Sequence, residues 1–425
     1  MVGSRNAMAE WRSYWFLPLA AALGYATSVL HVYSLGPFIE PLQQEFGWSR
    51  AQISAGLTIA SVVSALFCIP IGMLVDKVGP RRLALIGIIA MCGSVALLST
   101  ATGTQTNWLL LWVGTAIGTL WIQATVWTSA VNSRFEASRG LALAITLSGA
   151  AISATVFPVA ATWLIGEHGW RIAYQALSGM WLLLVFPLMF LCFRSAHDDV
   201  KKPVSVSAPQ APKVLTGISL SQGLRSAALY KLLLASGLFS FTAIGMVVHF
   251  VPILTDRGAQ PLEAAAMASL VGIFSIIGRL GTGFLLDRFP GHLIGAIAFL
   301  VPMLGCSLLL LDGTNPVYQA IAAAAFGLTL GSEVDVVAYL AAKYFGLKNF
   351  GALYGALVMA LSMGTAFGPL SAGALYDSFG SYTPFLQLTM FLMGLSALTL
   401  FSLGSARSAD DLVREEQQAR FMPAE

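Results

Sequence analysis

The chain has 425 residues, of which 57% are apolar and 10% charged, with 23 Lys and Arg, 20 Asp and Glu and a formal net charge of +3. A soluble domain carries roughly a quarter of its residues as charges to solvate its surface. A water-soluble enzyme, a disordered chain and a nucleic-acid-binding protein are therefore excluded. Cys68, Cys92, Cys192 and Cys306 sit singly in apolar runs without metal or redox spacing, and read as small packing residues.

A helix needs about 20 apolar residues to cross a hydrocarbon layer of about 30 Å. Windows of that length predict twelve spans in chain order: 14–36, 50–74, 83–101, 108–131, 140–163, 172–193, 228–253, 263–286, 292–312, 317–341, 350–375 and 382–404. These runs are too long and too uniformly apolar for barrel strands. The first is also too long, and its flanks too unlike a cleavage site, for a removable signal peptide. Met8 offers an alternative start, since the residues before it look dispensable.

Nineteen of the 23 Lys and Arg fall on one side of the spans, only Arg50, Arg171 and Arg257 fall on the other, and Arg279 lies inside a span. Positive charge marks the cytoplasmic side, so both termini are expected in the cytoplasm. The polar stretch 194–227 divides the chain into an amino-terminal six-helix bundle (1–193), a flexible cytoplasmic linker, a carboxyl-terminal six-helix bundle (228–404) and a cytoplasmic tail (405–425).

The two halves repeat. An offset of 211 residues brings Gly72 onto Gly283, Asp76 onto Asp287, Lys77 onto Arg288, Gly140 onto Gly351, Pro158 onto Pro369 and Gly169 onto Gly380. Six coincidences at one offset, four of them in Gly or Pro residues that set backbone geometry, exceed chance. The expected fold is an all-α membrane protein with twelve transmembrane helices in two pseudo-symmetric six-helix bundles. Two homologous bundles around a midplane site are what alternating access requires.

The loop Gly72-Met-Leu-Val-Asp76-Lys77-Val-Gly79-Pro-Arg81-Arg82, with its echo Gly283-Phe-Leu-Leu-Asp287-Arg288, resembles the signature loop of the major facilitator superfamily. Gly admits close helix approach, and Asp at a cytoplasmic helix end can pair with Arg or with a neighbouring helix amino end. Asp76, Arg81, Arg82, Asp287 and Arg288 are therefore candidate gating residues. More narrowly, Phe38-Ile-Glu40-Pro41-Leu, Phe46-Gly47-Trp48-Ser49, Arg139-Gly140-Leu-Ala-Leu-Ala, Gly169-Trp170-Arg171, Gly278-Arg279 and Tyr344-Phe345-Gly346 are similar to bacterial members of the monocarboxylate-carrier branch and to the oxalate–formate exchangers. That resemblance implies a multi-pass protein of the bacterial inner (cell) membrane, functional as a monomer in the lipid bilayer. It also implies transport of a small organic acid, with the proton as coupling ion and no cofactor, metal or nucleic-acid partner.

Ionisable groups at bilayer depth mark function by default. Arg279 in the apolar run 271–284 is the leading candidate, because a guanidinium facing an aqueous cavity grips a carboxylate through two parallel hydrogen bonds. In the resembled branch an arginine here partners the substrate anion, often with an aspartate one turn earlier; this chain has Ser275 there. The missing acid has two replacements in span ten, Glu333 and Asp335. Asp335 precedes Lys343 by eight residues and Arg279 precedes Asp287 by eight, so both lie about 12 Å from the cytoplasmic helix ends at 1.5 Å per residue. Being about 200° apart on their helix, the two acids do not easily share one cavity. An acid in low dielectric takes up a proton more readily, so either can couple protonation to release of Arg279 for the substrate.

The lining of the cavity is expected from Tyr25 and His31 on span one and from Trp121 and Gln123 on span four, by analogy with the fold. Trp108 and Trp112 are expected as anchors at the membrane interface, and His249 as an interfacial or gate residue. Span eleven has no second cation, which argues for a monoanion. A drug/proton efflux antiporter is the alternative: Ser153-Ala154 stand where its Gly-Pro would be in span five, but Gly355, Gly364, Gly368-Pro369 and Gly373 reproduce that spacing in span eleven. A non-transporting sensor is the remote reading, and no constellation for enzyme chemistry is present.

Overall fold

The computed structural model describes residues 2–199, 217–346 and 348–404, with the side chains of 2–6, 68, 69, 76, 197 and 199 left aside. Most of the linker's centre, the tail and the Asp76 carboxylate therefore lie outside the described residues. Helix α1 (Val2–Tyr14) precedes the membrane. Eleven apolar helical stretches follow among the described residues: Phe16–Phe46, the Arg50–Phe67 part of helix Arg50–Val78, Pro80–Thr100, Gln105–Asn132, Arg139–Cys192, Ala227–Thr255, Pro261–Leu286, Gly291–Asp312, Pro316–Phe345, Phe350–Phe379 and Thr383–Phe401. The 54-residue stretch is two spans (139–168 and 170–192), because Gly169 interrupts it at φ 76°, ψ 163°. Twelve spans result, numbered one to twelve here.

Repeated turn chemistry sets the helix ends. Gly47 after span one and Gly258 after span seven both have positive φ (67° and 92°), as do Gly169 after span five and Gly380 after span eleven (76° and 67°). Each pair is separated by the same 211 residues, so a conformation that suits glycine recurs in both halves. Span two then starts from a capping box: Ser49 Oγ accepts from Gln52 N, and the Gln52 side chain accepts from Ser49 N. Spans eight, ten and twelve start with a proline in the first turn, where no amide hydrogen is needed.

Each half buries its own aromatic core, with Trp108, Trp112, Trp127 and Phe157 in the first and Phe239, Phe299, Phe326 and Phe385 in the second. This corrects the sequence expectation for Trp108 and Trp112. Both are 0% exposed, and Trp108 Nε1 donates to Ile53 O at 3.1 Å, so they pack span four on span two instead of anchoring at an interface.

The seam between the halves differs at its two ends. At the end carrying Arg50, the halves are in close contact: a Cβ at Gly36 would come within 2.5 Å of Val248 O, one at Gly272 within 2.5 Å of Ala151 O, and one at Gly373 within 2.6 Å of Ala51 N. Toward the end carrying the linker, Gly72, Gly140, Gly283, Gly351 and Gly355 face open space. The bundle is zipped at the Arg50 end.

Candidate functional site

Spans eight and ten lie backbone to backbone midway along the seam. A Cβ on Gly278 would meet Leu328 Cα at 2.7 Å, and one on Gly331 would meet Ser275 C at 2.7 Å. Only glycine permits that approach. Thr282 Oγ1 and Ser332 Oγ, 2.5 Å apart, join the same two helices. The approach brings Arg279 Nε to 3.6 Å from Asp335 Oδ2, with side chains 14% and 33% exposed. Arg279 is thus neither sealed away nor fully engaged, since its buried Nη1 has no hydrogen-bond partner.

Glu333 sits two residues before Asp335 and is 6% exposed, with Oε1 also partnerless. Tyr25 and Tyr33 of span one are within electrostatic reach of both Arg279 and Glu333, and Tyr354 of span eleven is within reach of both acids and of Tyr25. A small recess beside Arg279 takes its walls from both halves, including Tyr33, Ser148 and Ala151 from one and Ser275, Arg279 and Gly331 from the other. The chemistry on offer is one guanidinium with a free edge, two carboxyl groups and a surround of phenols. Such a set can hold one carboxylate and exchange a proton, and it changes whenever the halves move.

Of the other sequence candidates, Ser275 borders this cluster, and His31, Trp121 and Gln123 fall outside it. Ser275 donates its hydroxyl to Gly272 O at 2.8 Å and offers only its wall of the recess. His31 is buried edge-on against Trp112 (centroids 6.1 Å apart), with Nδ1 unpartnered. Trp121 and Gln123 occupy a break in span four between Leu120 and Ala124, where the Gln123 amide donates to Ser64 O at 3.2 Å. Ser28 and Trp127 both hydrogen-bond Ile122 O at that break, so it is held against the end of the first helical segment of span one. No hydrogen bond or ion pair among the described residues joins His31, Trp121 or Gln123 to Arg279.

Among the described residues, the gating loops form no network across the seam. Arg81 Nη2 donates to Phe190 O at 2.7 Å within its own half, Arg288 lies 3.9 Å over the Phe284 ring, and Arg82 and Asp287 are exposed. The polar contacts between the halves that the described residues make lie instead toward the Arg50 end. Arg50 grips Asp256 through two hydrogen bonds of 3.0 and 2.8 Å, and its guanidinium stands 3.5 Å over the Tyr376 ring. Asp377 accepts from the N–H groups of Arg50 and Ala51, each at 2.9 Å, and so caps span two from the other half. Thr58 donates to Ala366 O at 2.6 Å. Charge counting treats Arg50 as a loop cation and passes over this arrangement. A signal was present: Asp256 and Asp377 lie at the carboxyl ends of their own helices, where an acid is unfavourable unless it serves another element.

The family model described as Major Facilitator Superfamily matches residues 21–334. Monocarboxylate transporter 13 of Rattus norvegicus is 27% identical over 427 aligned residues, covering 97% of this chain and 96% of its own length. Monocarboxylate transporter 13 of Bos taurus is 28% identical, covering 91% and 88%. Among solved structures, a bacterial homologue of the human lysosomal transporter Spinster, described as inward-facing and unoccupied, superposes with a TM-score of 0.62 at 18% identity, covering 96% of this chain and 98% of that one.

Proposed function

Since the chain belongs to the major facilitator superfamily and is a multi-pass membrane protein of that transporter family, we propose that it carries a small organic monocarboxylate by alternating access, in symport with a proton. The observation that carries this reading is Arg279 at the seam of the two halves, paired with Asp335 through a single 3.6 Å contact and with Nη1 unpartnered. A structural ion pair would be closer and saturated, whereas this one leaves an edge for a substrate carboxylate.

In the proposed cycle, a proton neutralises Asp335 and frees Arg279. The substrate carboxylate takes its place against the guanidinium, and the neutral, loaded site passes between the two sides. Glu333 has an unpartnered oxygen at bilayer depth, where a bare carboxylate is costly and a protonated one is not. It therefore serves as the second proton-bearing group beside Tyr25 and Tyr354. One buried cation suits one carboxylate. The names of the mammalian relatives accord with this class of substrate.

The excess of cations on the linker side supports a cytoplasmic location for that side and both termini. The likeness of its loops to bacterial members of the branch suits a bacterial inner membrane. The Arg50 end is then external and the site opens inward. Efflux by antiport gains no support from span eleven, where Gly364 and Gly368 are consumed by close packing on span seven at Gly237 and Phe241.

The test is uptake of labelled monocarboxylates into proteoliposomes with and without an imposed proton gradient and a protonophore. Gradient-driven accumulation supports the reading. Uptake of none of them, or uptake indifferent to the gradient, refutes it.

A further inference from the structure

His249 is a buried imidazole at the zipped end that takes part in no ion pair, and the carrier cycle above does not use it. It is 0% exposed on span seven. Its Nε2 lies 2.9 Å from Pro369 O in span eleven and 3.2 Å from Ser54 Oγ in span two, while Nδ1 lies 2.6 Å from Tyr382 OH ahead of span twelve. A carbonyl can only accept, so Nε2 carries hydrogen and Nδ1 receives the phenol's hydrogen. That is the neutral tautomer, with both nitrogens satisfied. The ring joins the two halves, because Ser54 belongs to the first and the other partners to the second.

We propose that His249 is a second proton-binding site, which reads acidity at the Arg50 end and unzips that end when it is charged. The inference rests on the external placement of the Arg50 end given above. Every charged or titratable group facing the ring is already committed in the closed state. On span two, Arg50 is a cation beside the ring, bound to Asp256 of span seven and stacked on Tyr376 of span eleven. Asp377 of span eleven is occupied by the Arg50 and Ala51 amides. Tyr382 must reverse its hydroxyl to serve an imidazolium, and its ring lies 5.1 Å from the Arg50 guanidinium. Among the described residues no free carboxylate remains beside the ring to compensate a new charge, which would share the pocket with Arg50. In an unzipped state water solvates both cations. Protonation thus stabilises the unzipped state relative to the zipped one, which is the differential interaction a switch requires. External acid would then open the carrier on the side from which proton and anion enter together.

The experiment measures distances between spin labels placed at Thr106 and Glu263, exposed positions on opposite halves at this end. The full chain, with its four native cysteines replaced, is reconstituted in bilayers without substrate. Lowering the pH from about 8 to about 5 should raise the long-distance population about tenfold. His249→Gln, which keeps a donor and an acceptor but does not titrate, should flatten that response. Tyr382→Phe should move the transition to higher pH, because the neutral ring loses the donor on Nδ1. This second variant keeps the test decisive should His249→Gln misfold. A pH-insensitive wild type, an unchanged response in His249→Gln, or an unmoved transition in Tyr382→Phe overturns the proposal. Loss of the response in Asp256→Asn or Asp377→Asn, with retention in His249→Gln, would assign it to the carboxylates. With no substrate present, these outcomes are independent of which solute is carried.

Discussion

Among the described residues there are two arginine–aspartate pairs, and they are built differently. Arg50 and Asp256 meet through two hydrogen bonds of 2.8 and 3.0 Å, with a tyrosine ring beneath the guanidinium and a third hydrogen bond from Nε to Gln43. Arg279 and Asp335 meet through one contact of 3.6 Å, with Nη1 free. The first pair crosses between the halves at the zipped end; the second lies within one half and faces the seam. A saturated pair holds a conformation, and a loose pair at bilayer depth can exchange its partner for a ligand.

That contrast can be broken at either pair. The largest effect is expected from Arg279→Ala, which should lower monocarboxylate uptake by about 100-fold or more, since losing one partner of a desolvated charge pair costs 2–5 kcal/mol. Arg279→Lys should rescue little of it, because an ammonium lacks the planar fork. Asp335→Asn comes next: uptake should persist but lose its response to an imposed pH gradient, and Glu333→Gln should weaken that response. Coupling left intact in both acid variants would remove the proposed cycle.

Arg50→Gln or Asp256→Asn should act on conformation. Span labels at the zipped end should separate in either variant, while affinity for substrate changes less than about tenfold. The smallest effect is at the cytoplasmic foot of the first half. Glu10 accepts hydrogen bonds from the amides of Glu136, Ala137 and Ser138 and from the Ser138 hydroxyl, tying α1 to the loop before span five. Burial works to raise its pKa, but the Ala137, Glu136 and Ser138 hydrogen bonds outweigh it and hold the carboxyl down to about 2. A depressed carboxylate contributes stability above its unfolded value near 4.5, and that contribution fades as the pH falls toward 2. Glu10→Gln should therefore loosen α1 at neutral pH, read as faster proteolysis of the amino end, without altering uptake.

The spans were legible because each apolar run had to be long enough to cross a bilayer, and the repeat because Gly and Pro record backbone geometry. The level of Arg279 with Asp335 could be counted along two helices that run the same way. Rotation about a helix axis could not be counted. Trp108 and Trp112 have the composition of interface anchors, yet both point into the core, where Gly56 leaves room for the Trp112 indole. The zipped end was illegible for another reason: its partners are 206 and 327 residues apart, Arg50 with Asp256 and with Asp377. Only the misplaced acids at two helix ends hinted at them.

The most direct measurement is equilibrium binding of a labelled monocarboxylate to the purified, reconstituted protein and to Arg279→Gln, with proton uptake recorded in the same titration. The account predicts that binding takes up a proton in the wild type and is lost in the variant, whose fold is verified by its thermal unfolding. Equal affinity in the two proteins would show that the guanidinium does not meet the substrate.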